Sequence, residues 1–412
     1  MVNNMAYEKL GTYCDVISGY AFKSTDWQDD GVPVVKIGNI SNGYDIILDE
    51  QTQYVDSSFC DKLDKKFLLE KGDILVSLTG SHINQPNSMV GRSCRNYTDR
   101  LYLLNQRAGK VIPFATVDKD YLYYLFSTKA IKYDIANRAY GGANQVNVSP
   151  TDIKNIKWLF PEISVQRKIA GVLTKYDKLI HNNNKRIKVL EQMAENLYKE
   201  WFVRFRFPGY ENAKFENSVP KGWEYVKIGD AFETSSGGTP SRSHPKYYEN
   251  GTIGWIKTGE LLDSLIINTE EHITEEGLKN SAAKLIPVGA LLCSMYAGVG
   301  KLGITTKEIT CSQATCVFMP KSYVSNLYMF QFLKLNKKYL ENISFGAAQQ
   351  NISQVVINRI KFLAPPMELI KSYDESVKEI YKVIYNILLQ NQNLIKQRDM
   401  LLPRLMSGKL EV

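Results

Sequence analysis

One eight-residue phrase occurs twice in the chain. Gly142-Ala-Asn-Gln-Val-Asn-Val-Ser149 returns as Gly346-Ala-Ala-Gln-Gln-Asn-Ile-Ser353. At the same offset Ile153, Ile156, Lys157, Leu159 and Pro161 match Ile357, Ile360, Lys361, Leu363 and Pro365. Upstream, with small gaps, Gly72–Ser77 resembles Gly289–Ser294, Lys36-Ile-Gly38 resembles Lys257-Thr-Gly259, and Val90-Gly-Arg92 resembles Val299-Gly-Lys301. A period of about 200 residues is too long for a solenoid repeat and marks a duplicated module. A chain of 412 residues gives each copy enough length to bury its own core.

Two textures alternate within each copy. The first part is rich in short β-branched and aromatic runs, such as Val32–Ile40, Asp73–Leu78, Trp255–Lys257 and Ile286–Cys293, punctuated by Gly, Pro, Asn and Asp. Short helical patches, Asp120–Ala136 and Asn326–Lys338, lie between them. The last part of each copy reads as a long helix. Ile169, Tyr176, Asn183, Leu190 and Leu197 form one heptad row, and Leu173, Ile180, Ile187, Ala194 and Trp201 the other.

The second copy repeats the pattern with Tyr373, Ile380, Ile387, Leu394 and Leu401 beside Val377, Ile384, Asn391, Arg398 and Leu405. Pro403, which has no amide hydrogen to donate, is expected to end or kink this helix near its last turn. Each helix should run roughly 50 Å.

A helix with one narrow apolar seam needs a partner, and a pseudo-two-fold between tandem copies would set the two antiparallel. Centring the seams on each other puts Asn183, at a d position, opposite Asn391, at an a position. Such a pair would satisfy each amide and specify the register, at some cost in stability. The alternative is that both Asn point to water at a locally splayed seam.

Catalytic signatures are sparse. No phosphate-binding G-x-x-x-x-G-K-[ST] occurs, and Leu302 stands where a magnesium-binding hydroxyl would be required. Gly298-Val-Gly-Lys-Leu-Gly303 matches G-x-G-x-x-G, but Ile-Thr-Thr follows it, so a hairpin-like turn fits better than a dinucleotide loop. The four histidines are scattered. The six cysteines form no CxxC pair, and Cys311 with Cys316 reads as strand packing, not a metal site. Leu363-Ala-Pro-Pro-Met367 lacks the polar first and aromatic last residues of an amino-methyltransferase motif, and Asp64-Lys-Lys66 has no metal-binding companion. The chain therefore reads as a binder and not an enzyme. No signal-like apolar segment occupies Met1–Leu10 and no run is long enough to span a bilayer, so a cytoplasmic, membrane-free location is expected.

A net charge of +8 permits, without requiring, a polyanionic partner. Candidate contacts lie in the polar, Gly-rich loops of both copies. Asn144, Gln145, Asn147, Gln349, Gln350 and Asn351 carry amides able to read an adenine edge. Thr239, Ser241 and Arg242 form a second polar, flexible loop with a basic tip, and Lys36, Arg92, Lys257 and Lys301 are candidates for phosphate contact. Each has a plainer alternative, since the amides can cap strands and the basic groups can lie solvated on a surface.

Several of these stretches resemble the specificity (S) subunit of type I restriction–modification systems, over essentially the whole chain. Gly237-Gly-Thr-Pro-Ser241 followed by Ile256-Lys-Thr-Gly-Glu-Leu261 looks like the opening of a target recognition domain, and Ser294–Ile304 is similar to that family's glycine turn. Pro161–Ile169 and Leu197–Val203 look like the entry to and exit from its central helix, and Leu401–Leu410 resembles its C-terminal signature.

The resemblance implies an α+β chain of two β-rich α/β target recognition domains in tandem repeat, separated by a pair of long antiparallel coiled-coil helices with pseudo-two-fold symmetry. Its divisions would be target recognition domain 1 at 1–162, a central helix at 163–206, target recognition domain 2 at 207–366 and a distal helix at 367–412. Each domain would read one half of a bipartite double-stranded DNA site. The helices would set the spacer and dock two modification (methyltransferase) subunits, with restriction (translocase/nuclease) subunits joining through them. S-adenosylmethionine, ATP and Mg would belong to those partners, and this chain would bind no cofactor. A specificity subunit of a related non-type-I methyltransferase/nuclease system is the alternative. One departure stands out: the first copy has Ile17-Ser-Gly-Tyr-Ala-Phe22 in place of the Gly-Gly-Thr-Pro-Ser loop and a longer insertion, Ser81–Met89. The two domains should therefore read different half-sites.

Overall fold

The computed structural model describes residues 6–40, 45–49, 51–81, 88–142, 145–296, 298–344 and 351–412. The chain forms two compact units, one of residues 1–180 with 394–412 and the other of residues 181–393. Each long helix therefore contributes to both units. The central helix spans Ile163–Tyr198 and runs on into a π-turn at Lys199–Val203; the distal helix spans Met367–Met406.

The duplication read in the sequence is a duplication of strand topology. In the first unit Ala6–Lys9 pairs antiparallel with Lys157–Phe160, so the start of the globular part is tied to its end. In the second unit Glu224–Lys227 pairs with Lys361–Ala364 in the same way. The first unit then has an antiparallel sheet in the order Cys14–Ser18, Ala108–Pro113, Ile74–Ser77, Ser93–Arg95. Its counterpart runs Phe232–Ser236, Thr315–Pro320, Leu291–Ser294, Leu302–Thr305, with Ser264–Ile266 added at the edge. A second sheet in each unit contains one parallel pair, Val32–Val35 with Tyr102–Leu104 and Ile253–Ile256 with Thr310–Cys311.

Each predicted helical patch is two helices. Lys119–Phe126 and Lys129–Asn137 are separated at Thr128, whose hydroxyl accepts from the Ile131 amide and starts the second. Asn326–Leu335 and Lys337–Asn342 break at Asn336. The G-x-G-x-x-G segment is a hairpin turn joining Leu291–Ser294 to Leu302–Thr305, with Gly298 and Gly300 at φ 96° and 80°. Those left-handed conformations suit glycine, and no helix follows. Cys311 and Cys316 lie buried in strands.

The rows from Leu173 to Trp201 and from Val377 to Leu405 are buried throughout, and the rows beside them are partly so. In the first unit Ile169, Leu173, Leu402, Leu405 and Met406 join the core of the globular part, alongside Tyr121–Phe126. In the second, Ile187, Ala194, Tyr198 and Trp201 share a core with Tyr373, Val377, Ile384 and Ile387. The stretches are antiparallel, with Asn183 against Asn391 and Trp201 against Tyr373, ring centroids 6.0 Å apart.

Two details complete the helix reading. Pro403 lies in the last turn of the distal helix, which ends at Met406. A proline within the last turn forfeits one amide donor, and the helix closes where Gly408, at φ 70°, lets the Gly408 amide reach the Leu405 carbonyl. Arg398, placed in an apolar row, is buried because Asp177 is buried opposite it. Its Nη1 donates to Asp177 Oδ1 at 2.7 Å, while Asp177 Oδ2 accepts from Tyr124 at 2.7 Å and Tyr97 at 3.4 Å. Burial, then the Asp177 charge, pushes the Tyr124 hydroxyl far above its usual range and keeps it a donor.

Among the described residues no helix is long and apolar enough to cross a membrane. Asp177→Ala should destabilise the first unit by about 1–3 kcal/mol, because it removes the buried acceptor shared by the Arg398 Nη1 and the Tyr124 hydroxyl and leaves Arg398 with the more exposed Asp399. Urea unfolding followed by a probe in that unit measures this, and Asp177→Asn should cost less.

Candidate nucleic-acid interface

The repeated phrase divides into residues that hold the fold and residues that face outward. Ser149 and Ser353 are helix N-caps: their hydroxyls accept from the Asp152 and Val356 amides and start Pro150–Lys154 and Gln354–Arg359. Val148 and Ile352 are buried. Asn147 Oδ1 accepts from the Thr79 hydroxyl at 2.8 Å, fastening its strand to Thr79–Gly80. Asn351 forms the corresponding bridge to Tyr296. Both Asn thus lie in strand pairing through the backbone, Asn147 through its side chain as well.

What remains exposed in the first unit is a hairpin of Tyr140–Gly142 and Gln145–Asn147. Gly141, at φ 145°, could carry no side chain without striking the Gln145 carbonyl. Tyr140 is 61% exposed and Gln145 is exposed beside it, giving an aromatic face and an amide on one projecting element. Asn144, Gln349 and Gln350 lie outside the described residues, as do 82–87 of the Ser81–Met89 insertion.

Arg92 is half-buried in the turn after Val90, its carbonyl accepting from the Ser77 amide at 2.8 Å. Lys132, whose carbonyl a side chain at Gly91 would strike, is held below its ordinary pKa by burial first and then by the charges of Arg92 and Lys129. Lys129 and Lys132 carry no motif, and only the fold reveals them. Lys301 donates its amide to Ser294 Oγ at 2.9 Å in the glycine turn, and its side chain folds back over Gly298.

Lys36 and Lys257 occupy equivalent seats, each just before a single turn of 3-10 helix. Strand register identifies what each meets. Gln53 lies across from Val34, and Glu271 lies across from Trp255, each two residues before the lysine. Lys36 bonds Gln53 Oε1 and stands 4.2 Å over the Trp27 ring. Burial, then Arg107, lowers its pKa. Lys257 bonds Glu271 at 3.0 Å and Glu270 at 3.4 Å.

Arg242 reaches the same Glu271 at 2.6 Å and stacks over Tyr248 and Trp255, at 4.2 and 5.1 Å. The fold thus gathers Arg242 and Lys257 around one carboxylate that sequence reading missed. Neither cation is a bare phosphate ligand: both already share an anion, and an incoming phosphate would compete with Glu271.

The loop carrying Thr239 and Ser241 is corrected from flexible to fastened. A side chain at Gly237 would run into the Cys311 carbonyl, and one at Gly238 into the Ala282 backbone. Trp255 Nε1 donates to the Gly238 carbonyl at 2.9 Å and Tyr248 to the Pro240 carbonyl at 2.5 Å. Thr239 donates to Gln313, and Ser241 lies 2.7 Å from Ser243 in a hydroxyl chain that ends on His244 Nδ1. The loop is a rigid polar edge, which favours recognition by preorganisation.

Arg242, ahead of its other neighbours, holds Glu271 below the usual carboxylate range. A depressed folded pKa means that the cluster contributes stability above about pH 4.5, lost as pH falls through the folded value. The thermal midpoint of the second unit should drop on acidification below about pH 4.5. Glu271→Gln should flatten that drop.

The family described as the type I restriction modification DNA specificity domain matches residues 3–192 and again 220–398. The chain is 28% identical over 326 residues to the type I restriction enzyme MjaIX specificity subunit of Methanocaldococcus jannaschii, covering 75% of this chain and 73% of that one. It is 24% identical to the HindI specificity subunit of Haemophilus influenzae, covering 84% and 88%. The crystal structure of a type I restriction–modification S subunit from M. genitalium shares its fold with a TM-score of 0.52 at 14% identity, covering 98% of this chain and 96% of that one.

Proposed function

The chain belongs to the type I restriction modification DNA specificity family, and on that premise we propose how a DNA specificity subunit of this build performs its work. Each globular part is a target recognition domain that reads one half of a bipartite double-stranded site. The helices set the spacer and dock two modification (methyltransferase) subunits, through which restriction (translocase/nuclease) subunits join. S-adenosylmethionine, ATP and Mg act in those partners, and this chain contributes recognition.

One observation carries the reading: a single strand topology occurs twice, with its exposed elements changed between copies. The first domain presents Tyr140 and Gln145 on a hairpin and a neutral Gln53 beside Lys36. The second presents the fastened Thr239–Arg242 edge and an anionic Glu271 between two cations. Cations near a groove position the protein on phosphates, whereas amides and hydroxyls on rigid edges discriminate bases. Two domains so different in these groups would select different half-sites while holding the DNA by the same kind of basic rim.

Purification alone and with a cognate methyltransferase subunit tests the assignment. The mixture should methylate a defined bipartite sequence and the chain alone should not; methylation by the chain alone would overturn the reading. Replacing residues 1–160 with the matching part of another specificity subunit should change only one half-site, read by sequencing methylated positions. Within that domain, Gln145→Ala should weaken methylation at one half-site by about 1–3 kcal/mol.

A further inference from the structure

The buried polar contacts of the helix pair are satisfied only when the two helices are unlike. Asn183 Nδ2 donates to Asn391 Oδ1 at 2.9 Å and to Gln390 Oε1 at 3.0 Å, and Asn391 Nδ2 donates to Asn184 Oδ1 at 2.8 Å. Both Asn are buried, at 1% and 6% exposure.

The offset that superposes Gly142 on Gly346 makes Asn183 equivalent to Ile387, and Ile187 equivalent to Asn391. Asn–Asn contact at one level of the seam is therefore answered by Ile187 opposite Ile387 at its pseudo-symmetric level, both buried. The supporting groups differ as well. Gln390 corresponds to Arg186, and Asn184 to Leu388.

Pairing two copies of the central helix in this register would set Asn183 against Ile187 and Arg186 of the second copy. An arginine has only donors to offer the Asn183 amide nitrogen. Pairing two distal helices would set Asn391 against Ile387 and Leu388, which offer nothing. Each mismatch occurs twice by symmetry and leaves buried amides unsatisfied.

The Asp177–Arg398 ion pair follows the same rule, because its equivalents are Tyr381 and Ala194. Like-with-like pairing would lose that contact too. At this second level Tyr381 is instead served by Gln331, whose Nε2 donates to its hydroxyl at 3.0 Å.

We infer that the seam is a pairing code: each long helix accepts the other helix of this sequence and rejects its own like from a second copy of the chain. The code ensures that an assembled molecule carries two different globular domains and never two of one kind. Coiled coils are known to use single buried Asn residues to choose register and partner number. Here the arrangement would choose between cis and homotypic partners.

The test uses the full chain with a specific protease site inserted at the exposed Pro208–Gly209, cut after folding. The nicked protein is dissociated in urea, returned to buffer, and its pairs are weighed by native mass spectrometry. The parent should return unlike halves in about ten-fold or greater excess over like pairs. Asn183→Ile with Asp177→Ala, which removes both polar groups that a like pair would strand in the first half, should produce first-half homodimers, and Asn391→Ile with Arg398→Ala second-half homodimers.

In a background of Asp177→Ala with Arg398→Ala, the double variant Asn183→Ile with Asn391→Ile should let like and unlike pairs form together. Adding Ile187→Asn and Ile387→Asn to that double variant moves the amide pair one turn along, and unlike-only pairing should return. Like and unlike pairs in equal amounts from the parent would overturn the inference. So would a transplanted variant that pairs no more selectively than the double-isoleucine one, since the two differ only in whether facing amides exist.

Discussion

Asn183 and Asn391 can be buried only together. A side-chain amide taken from water without a partner costs about 1–3 kcal/mol, and each of these is shielded by the apolar rows above and below it. Their mutual bond fixes which turn of one helix faces which turn of the other. From that register follow the burial of Ile187 with Ile387 and the edge-on packing of Trp201 against Tyr373 in the second unit. In the first unit the equivalent anchor is Asp177, which holds Arg398 of the distal helix and two tyrosines of the globular part at once. Each unit therefore locks its stretch of the helix pair by polar contacts that apolar packing alone would leave free to slide.

Helical and strand periodicities carried most of the fold in advance. Heptad rows are legible because burial along a helix recurs at a fixed interval, and the duplicated phrase is legible because identical spacing needs no structure to detect. Arg398 is buried at the seam position its heptad row gives it; what the sequence leaves unread is its counter-ion, because Asp177 lies far away in the chain. Pro403 falls in the last turn, where it removes one of the final intrahelical donors, and the helix ends three residues on. The breaks at Thr128 and Asn336 are cap effects, set by one side chain's bond to one amide, too local for periodicity to register.

The candidate interface was less legible than the fold. Sequence reading named candidate loops but could not sort their residues by role. Ser149, Asn147 and Asn351 recur because they cap a helix or pin a strand, so recurrence pointed at framework as readily as at contact. Glu271 was invisible because its meeting with Arg242 and Lys257 depends on strand register and loop closure. Lys129 and Lys132 were invisible because the approach of their helix to the turn before Arg92 is a matter of packing.

Framework and variable elements are separated by the same physics. Positions that close each globular part, the terminal strand pair and the serine caps, satisfy backbone groups that have no other partner, so both copies keep them. Elements that project from this frame owe nothing to it beyond their attachment, and the Gln53-to-Glu271 change alters the charge of a shared seat without touching the strand pairing beneath it. The helix seam obeys a third rule. It keeps its apolar rows in both copies but exchanges Asn for Ile at paired levels, which satisfies the amides in the cis pairing and would strand them in a homotypic one. The two halves are alike in their apolar rows and complementary in their polar groups, so the seam pairs one globular part with the other kind.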